Sequence, residues 1–202
     1  LGVLGGMAVP AVQRFGYGFV QGADAAAVEM GIADQVVMEY AYGNQFYGDS
    51  DITAYMDNWY QTLGVEVVFA SGGGIYTSAA EAAAKVGGKL IGVDVDQSYI
   101  DPAYFVTSAM KQLKNVTMTV LDALNSGSWE TYGGKVTNFG LQEGEYVGLP
   151  TADSSWNFNT FTKDEYNAVL EGIRSGKIAV DNNSDSTVTP TVSAHTSVDY
   201  IG

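Results

Sequence analysis

The sequence has 202 residues, 46% of them apolar, a formal net charge of −14 and no cysteine. The absence of cysteine excludes disulfide bonds, thiol catalysis and thiolate metal ligands. Only nine residues are lysine or arginine and they form no basic patch, which argues against binding to nucleic acid or to an anionic membrane surface. No apolar run approaches the roughly 18 residues that a membrane-spanning helix needs.

Strand and helix patterns alternate through most of the chain. Strands are predicted where short apolar runs lie between turn residues, at residues 1–4, 35–42, 65–70, 89–93, 104–109 and 135–141. Helices are predicted between them, around residues 10–30, 52–60, 77–85 and 113–124. This alternation predicts an α/β fold with a parallel sheet and helices on both faces. Ligands of such sheets bind beyond the carboxyl ends of the strands.

The composition changes after residue 141, where Gly, Pro, Ser and Asn dominate up to about residue 160. Thr162 and Glu165 then have the spacing of a capping box, which predicts the start of a helix that ends at Gly176. Residues 181–190 have the composition of a linker, and residues 191–200 could form one strand or a disordered tail. The chain begins within a predicted strand, so we expect that a further segment precedes it.

Three glycines, Gly72, Gly73 and Gly74, follow a buried strand and precede a helix. Glycines at this place let a ligand approach the backbone closely, and the N–H groups of the helix terminus face that ligand. A phosphate-binding loop is excluded because no Gly-Lys-Ser/Thr follows and Gly-x-Gly-x-x-Gly is not matched. The alternative is a tight turn that contacts no ligand.

Two carboxylates, Asp94 and Asp96, follow the next buried strand. A carboxylate there can accept strong hydrogen bonds from sugar hydroxyls. A metal site is the first alternative, although only Gln97 lies nearby as a further ligand, and an aspartate that caps a helix is the second. We expect Asp94 to lie in the site and Asp96 or Ser98 to cap or brace it.

Lys111 and Phe46 are the other two candidates. Lys111 is one of few basic groups in this region, so it could neutralise Asp94 and donate to the same ligand, or it could be an ordinary solvated lysine. Phe46 lies in a polar loop, where an aromatic ring can stack on a flat ligand or can plug the core. His195 is the only histidine and lies among Ser and Thr, and no catalytic set can be assembled around it, so an enzyme is not expected.

Seven blocks of the sequence together resemble a known family. They are LGVLGGMAVP (1–10), FGYGFVQG (15–22), YGNQFYGD (42–49), FASGGGIYTSAA (69–80), IGVDVDQ (91–97), TSAMK (107–111) and IRSGKIAV (173–180). Their order, above all IGVDVDQ followed by TSAMK, resembles the basic membrane protein family of bacterial lipoproteins, which includes a purine nucleoside receptor.

This resemblance implies a periplasmic-binding-protein type I fold, in which two lobes close on a ligand. Residues 1–139 would be the second lobe, residues 140–180 a crossover segment and helix that pack on the first lobe, and residues 181–202 a linker with a C-terminal strand or tail. Most of the first lobe would lie outside this chain. Family members are lipid-anchored outside the cytoplasm and deliver their ligand to the permease of an ABC importer, without a cofactor.

In the family, an aspartate and a lysine at the positions of Asp94 and Lys111 bind the ribose of a nucleoside. The aromatic residue at Phe46 and glycines such as Gly72, Gly73 and Gly74 line the base and sugar pocket. The loop 71–76 departs from the family's usual Ala-Gly-Gly-x-Gly, which leaves the preferred base open. Two alternatives remain for the function: a type I binding protein for a pentose or other small sugar, and a ligand-sensing regulatory domain of the same fold.

Overall fold

The computed structural model describes residues 1–182 and 194–201. The strands are β1 (Gly2–Gly5), β2 (Val37–Tyr42), β3 (Val67–Ser71), β4 (Lys89–Asp94), β5 (Phe105–Lys111), β6 (Val147–Gly148) and β7 (Ser197–Ile201). The helices are α1 (Pro10–Glu29), α2 (Ser50–Gln61), α3 (Tyr76–Val86), α4 (Leu113–Asn125) and α5 (Lys163–Arg174). Short 3-10 helices occupy Trp129–Thr131 and Asp153–Ser155. Within the residues described, no helix is long and apolar enough to cross a membrane.

All strands of the described residues belong to one sheet with the order β6-β5-β4-β3-β1-β2-β7. The described pairings are parallel except that of β5 with the two-residue strand β6. The predicted α/β fold with a mostly parallel sheet is therefore confirmed. The strand order reverses around β1, because α1 leads from β1 to β2 on one side and α2 leads back to β3 on the other. Such a reversal leaves a crevice at the carboxyl ends of the strands.

Helices cover both faces of the sheet, as predicted. On one face α1 packs through Tyr17 and Val20 onto Met38 and Tyr40. On the other face α2 and α3 pack onto the sheet through a larger cluster that includes Ile52, Met56, Trp59, Ala79 and Ala82. The apolar stripe of α2 is therefore its buried face, since Ile52, Met56, Trp59 and Tyr60 are all buried. Helix α4 has none of its residues buried.

The C-terminal part of the chain returns to the sheet. Thr162 and Glu165 form the predicted capping box at the start of α5, and Gly176 follows that helix with a φ of 72°. Residues 181 and 182 then run beside α1, where Gln21 exchanges two hydrogen bonds with the Asp181 backbone. Most of the predicted linker lies outside the described residues. A strand and a disordered tail were both open for residues 191–200. The structure has a strand there, β7, which pairs in parallel with β2.

The strand predicted at residues 135–141 is absent, and these residues form an irregular segment. Its sequence has the right apolar residues, but a strand also needs a neighbour for its backbone. The outer edge of β5 is instead paired with β6, and Val136 is fully exposed. The prediction was wrong because apolar composition alone does not provide a partner strand.

Candidate functional site

The ends of β1 and β3 approach each other closely at the point where the strand order reverses. The Gly6 N–H donates to the carbonyl oxygen of Ser71 at 2.9 Å. A Cβ atom on Gly72 would lie 2.6 Å from both the nitrogen and the Cα of Gly6. Backbone atoms cannot move aside as a flexible side chain can, so this approach requires glycine. The glycines after β3 thus let two loops meet at the floor of the crevice.

A cavity of about 330 Å³ opens above this floor. That volume falls within the range of small-molecule sites. Its lining comes from three loops, the carboxyl ends of β3, β4 and β5, and the first turns of α1: Val9, Ala11, Val12, Phe15, Phe46, Ser71, Gly72, Gly73, Val93, Asp94 and Lys111. The structure therefore brings five of the six predicted site residues around one cavity. Gly74 does not line it; its N–H donates to the Phe46 carbonyl oxygen at 2.8 Å and so anchors the loop that carries Phe46.

Asp94 ends β4 in an unusual backbone conformation. Its φ is 68°, in the left-handed region, and the Val95 N–H donates to the Val93 carbonyl oxygen across it at 2.8 Å. This conformation is unfavourable for residues other than glycine, and such strain is concentrated at functional sites. The tight turn directs the chain away from the sheet directly after the carboxylate.

Lys111 ends the neighbouring strand and forms an ion pair with Asp94. The Lys111 Nζ atom lies 2.8 Å from Asp94 Oδ1, and both side chains are between a third and two-fifths exposed. Within the described part of the chain no donor makes an aligned hydrogen bond to this oxygen, which is itself shielded from solvent. Asp94 therefore keeps unused capacity to accept a hydrogen bond, and the ammonium keeps N–H groups to donate. The pair can offer an acceptor and a donor to one polar ligand.

Asp96 braces the turn that follows β4. Its Oδ1 accepts hydrogen bonds from the Ser98 backbone N–H at 3.0 Å and hydroxyl at 2.7 Å, and its Oδ2 accepts one from the Ser155 hydroxyl at 2.6 Å. Burial opposes its ionisation, but these hydrogen bonds lower the pKa of Asp96 below the ordinary value of 3.8. Among the described residues no three His, Asp or Glu side chains are grouped as metal ligands.

Phe46 lies on the glycine floor with part of its ring open. A Cβ atom on Gly6 would meet the ring at 2.6 Å, and one on Gly72 would meet it at 3.4 Å. The side chain is nevertheless 42% exposed. A plug of the core would be buried, so this exposure favours the stacking interpretation of Phe46.

Helix α1 also contributes to the site, which the sequence patterns were not used to predict. Phe15 lines the cavity, and Lys111 Nζ lies 5.0 Å from the centroid of its ring. Val9 and Val12 add apolar wall beside it. The signal was available, because α1 follows β1 directly and its first turns must start at the carboxyl edge of the sheet.

The family of proteins described as "ABC transporter substrate-binding protein PnrA-like" matches residues 1–184. The chain belongs to this family. The resemblance seen in the sequence blocks is thereby confirmed. Relatives of this chain include Basic membrane protein B of Borreliella burgdorferi, which is 32% identical over 157 residues, or 76% of this chain and 43% of that protein. Basic membrane protein B of Borreliella afzelii is 34% identical over the same shares of the two chains.

Two solved structures share the fold of this chain. A solute-binding protein of an ABC transporter system from Aeropyrum pernix aligns with a TM-score of 0.60 at 23% identity, over 90% of this chain and 51% of that one. A second from Conexibacter woesei aligns with a TM-score of 0.63 at 19% identity, over 90% and 56%. The chain thus spans about half the length of these structures, and less than half that of the two Borreliella relatives.

Proposed function

We propose that this chain is part of the extracytoplasmic substrate-binding component of an ABC importer and that it captures a nucleoside, with a purine as the base. Residues 1–139 would form one ligand-binding lobe, and residues 140–180 would connect it to the other lobe. The protein would be held at the membrane by a lipid anchor outside this chain, and its partner would be the importer's permease. It would bind its ligand and release it unchanged.

The observation that carries this proposal is the pairing of Asp94 and Lys111 beside the exposed ring of Phe46. Asp94 would accept a hydrogen bond from a ribose hydroxyl, and Lys111 would donate to a ribose oxygen. The open part of the Phe46 ring would stack on the base. Gly72 and Gly73 line the floor of the cavity, where a Cβ atom on Gly72 would collide with the Gly6 backbone.

The acidic surface of the protein fits a ligand without phosphates. The net charge is −14, and Lys111 in the cavity is already paired with the carboxylate of Asp94. A nucleotide would meet a repulsive long-range field and little local compensation. A free pentose would satisfy Asp94 and Lys111 but would leave Phe46 without a partner, which is why we favour a nucleoside.

The decisive test uses sugar analogues. Inosine, 2′-deoxyinosine, 3′-deoxyinosine and ribose are titrated into the chain and into an Asp94→Asn variant, and amide chemical shifts report even weak binding. A hydrogen bond to a charged group contributes about 1.5–3 kcal/mol. The chain should therefore bind one deoxy analogue about tenfold to a hundredfold more weakly than inosine.

Asp94→Asn is the matched variant, because asparagine tolerates the left-handed conformation as well as aspartate does. This variant should lose most of the discrimination between inosine and the weaker deoxy analogue. If Asp94→Asn discriminates as the parent chain does, Asp94 does not bind the sugar. If inosine at millimolar concentration shifts no amide near Phe46, Asp94 or Lys111, the proposed nucleoside function fails.

A further inference from the structure

Two aromatic side chains line the cavity, and their ring faces have different neighbours. Phe46 lies on Gly6 and Gly72 and is 42% exposed. The Phe15 ring instead contacts a cation, because Lys111 Nζ lies 5.0 Å from the centroid of that ring. This distance is within the range of a cation–π contact. One ring is therefore committed to Lys111, and the other is open toward the cavity.

The Phe15 ring is fixed from below. It meets the ring of Phe69 edge-on, with centroids 6.0 Å apart and an interplanar angle of 72°. Phe69 is buried in β3, at the centre of the sheet. Phe15 also lies early in α1, whose first position is Pro10, a residue that fixes the helical φ. The platform under Lys111 is consequently tied to the rigid part of the fold.

Lys111 needs such a platform. Its ammonium is at the end of a flexible four-carbon stem, and holding such a side chain in one place is entropically unfavourable. The contact with Asp94 is short but is not an aligned hydrogen bond, so by itself it leaves the ammonium free to rotate about the carboxylate. A ring on a second side of the ammonium removes part of that freedom.

We propose that Phe15 is a positioning residue: its ring holds the ammonium of Lys111 beside Asp94, so that the remaining N–H groups of Lys111 point into the cavity. The part of this inference that concerns the ligand rests on the proposed function above. Phe15 itself does not stack on the base, because the face that it turns to Lys111 is occupied by the cation.

The first experiment needs no ligand. Lysine side chains are labelled by reductive methylation with ¹³C, and the Lys111 methyl signal is assigned by its loss in Lys111→Met. A methyl group above a ring face is shifted upfield by the ring current. We expect this shift in the parent chain, its loss in Phe15→Leu, and its recovery in Phe15→Tyr.

Phe19→Leu is the matched control. Phe19 lies one turn further along α1, is also partly buried and also packs on Phe69, with centroids 5.3 Å apart. It makes no cation–π contact with Lys111 among the described residues. Phe19→Leu should therefore leave the Lys111 signal in place. An unshifted Lys111 signal in the parent chain, or equal changes in both leucine variants, would overturn the positioning role.

The second experiment is a double-mutant cycle with inosine as the probe. Phe15→Leu should weaken inosine binding about two- to fivefold, the size of an exposed cation–π contact. In the Lys111→Met background it should have no effect, because a positioning residue acts only through the group that it positions. Additive effects would overturn the ligand part of the inference. Failure of the parent chain to bind inosine would instead overturn the proposed function, and the methyl signal would still decide the role of Phe15.

Discussion

The left-handed backbone at Asp94 makes a prediction about stability that is independent of any ligand. Asp94 has a φ of 68° at the end of β4, where the carboxylate enters the cavity. We compare two replacements that both remove the carboxylate, Asp94→Ala and Asp94→Gly. Both also remove the ion pair with Lys111, so that loss cancels between them. What remains is the difference in backbone preference between alanine and glycine.

The size of that difference follows from two opposing effects. A residue with a Cβ atom loses roughly 1–2 kcal/mol in the left-handed conformation. Glycine avoids this strain but gives up about 0.5–1 kcal/mol, because it has more conformational freedom in the unfolded chain. The glycine variant should therefore be more stable than the alanine variant by about 0.5–1 kcal/mol. For a chain of this size, each kcal/mol of stability corresponds to about 2–4 °C in Tm.

Urea denaturation followed by circular dichroism measures the difference in the free energy of unfolding. The two variants are compared with the same m-value, the slope of that free energy against urea concentration. Asp122 is the control, because it lies inside α4, where the backbone is helical. At that position the order should reverse, and Asp122→Ala should be more stable than Asp122→Gly. If alanine is also the better residue at position 94, the backbone there is not left-handed and the strain assigned to the site is absent.

Two further predictions concern the ring of Phe46 and the buried carboxyl group of Glu39. Phe46→Ala should weaken inosine binding about tenfold to a hundredfold, because base stacking contributes about 1–3 kcal/mol, and it should barely affect ribose binding. Calorimetric titrations with both ligands measure this. Equal losses of affinity for inosine and ribose would mean that Phe46 has only a structural role. Glu39 is buried on β2 opposite Asp199 of β7. Its pKa is raised above 4.5, first because the carboxyl group is buried and second because Asp199 is negatively charged, although the Leu1 amino group acts in the opposite direction. Because the pKa of Glu39 is raised in the folded state, the stability of the wild-type chain falls as pH rises from about 4.5 through that pKa. Glu39→Gln should therefore be more stable than wild type at pH 7 and should lose this advantage toward pH 4.5. Urea unfolding at both pH values checks this, and an advantage that does not change with pH would contradict the raised pKa.

The order of elements and the edge of the sheet that carries the cavity followed from the sequence alone. Apolar runs between glycines predicted the strands, and the stripe from Ile52 to Tyr60 predicted α2, because both patterns depend on the period of the local backbone. Once strands and helices alternate, the parallel sheet follows, and the loops after its strands must lie at one edge. That reasoning was sufficient to select the loops that carry Phe46, Gly72 and Asp94.

The contacts between those loops were decided only by the tertiary structure. The approach of Gly6 to Gly72 depends on β1 and β3 being neighbours, and the Phe15 ring meets Lys111 only because α1 starts beside the end of β5. The same holds for β7, which needs the free edge of β2, and for residues 135–141, which have the composition of a strand but no partner. A sequence pattern records the period of one segment. Pairing and contact depend on which segments become neighbours, and that is fixed by the packing of the whole sheet.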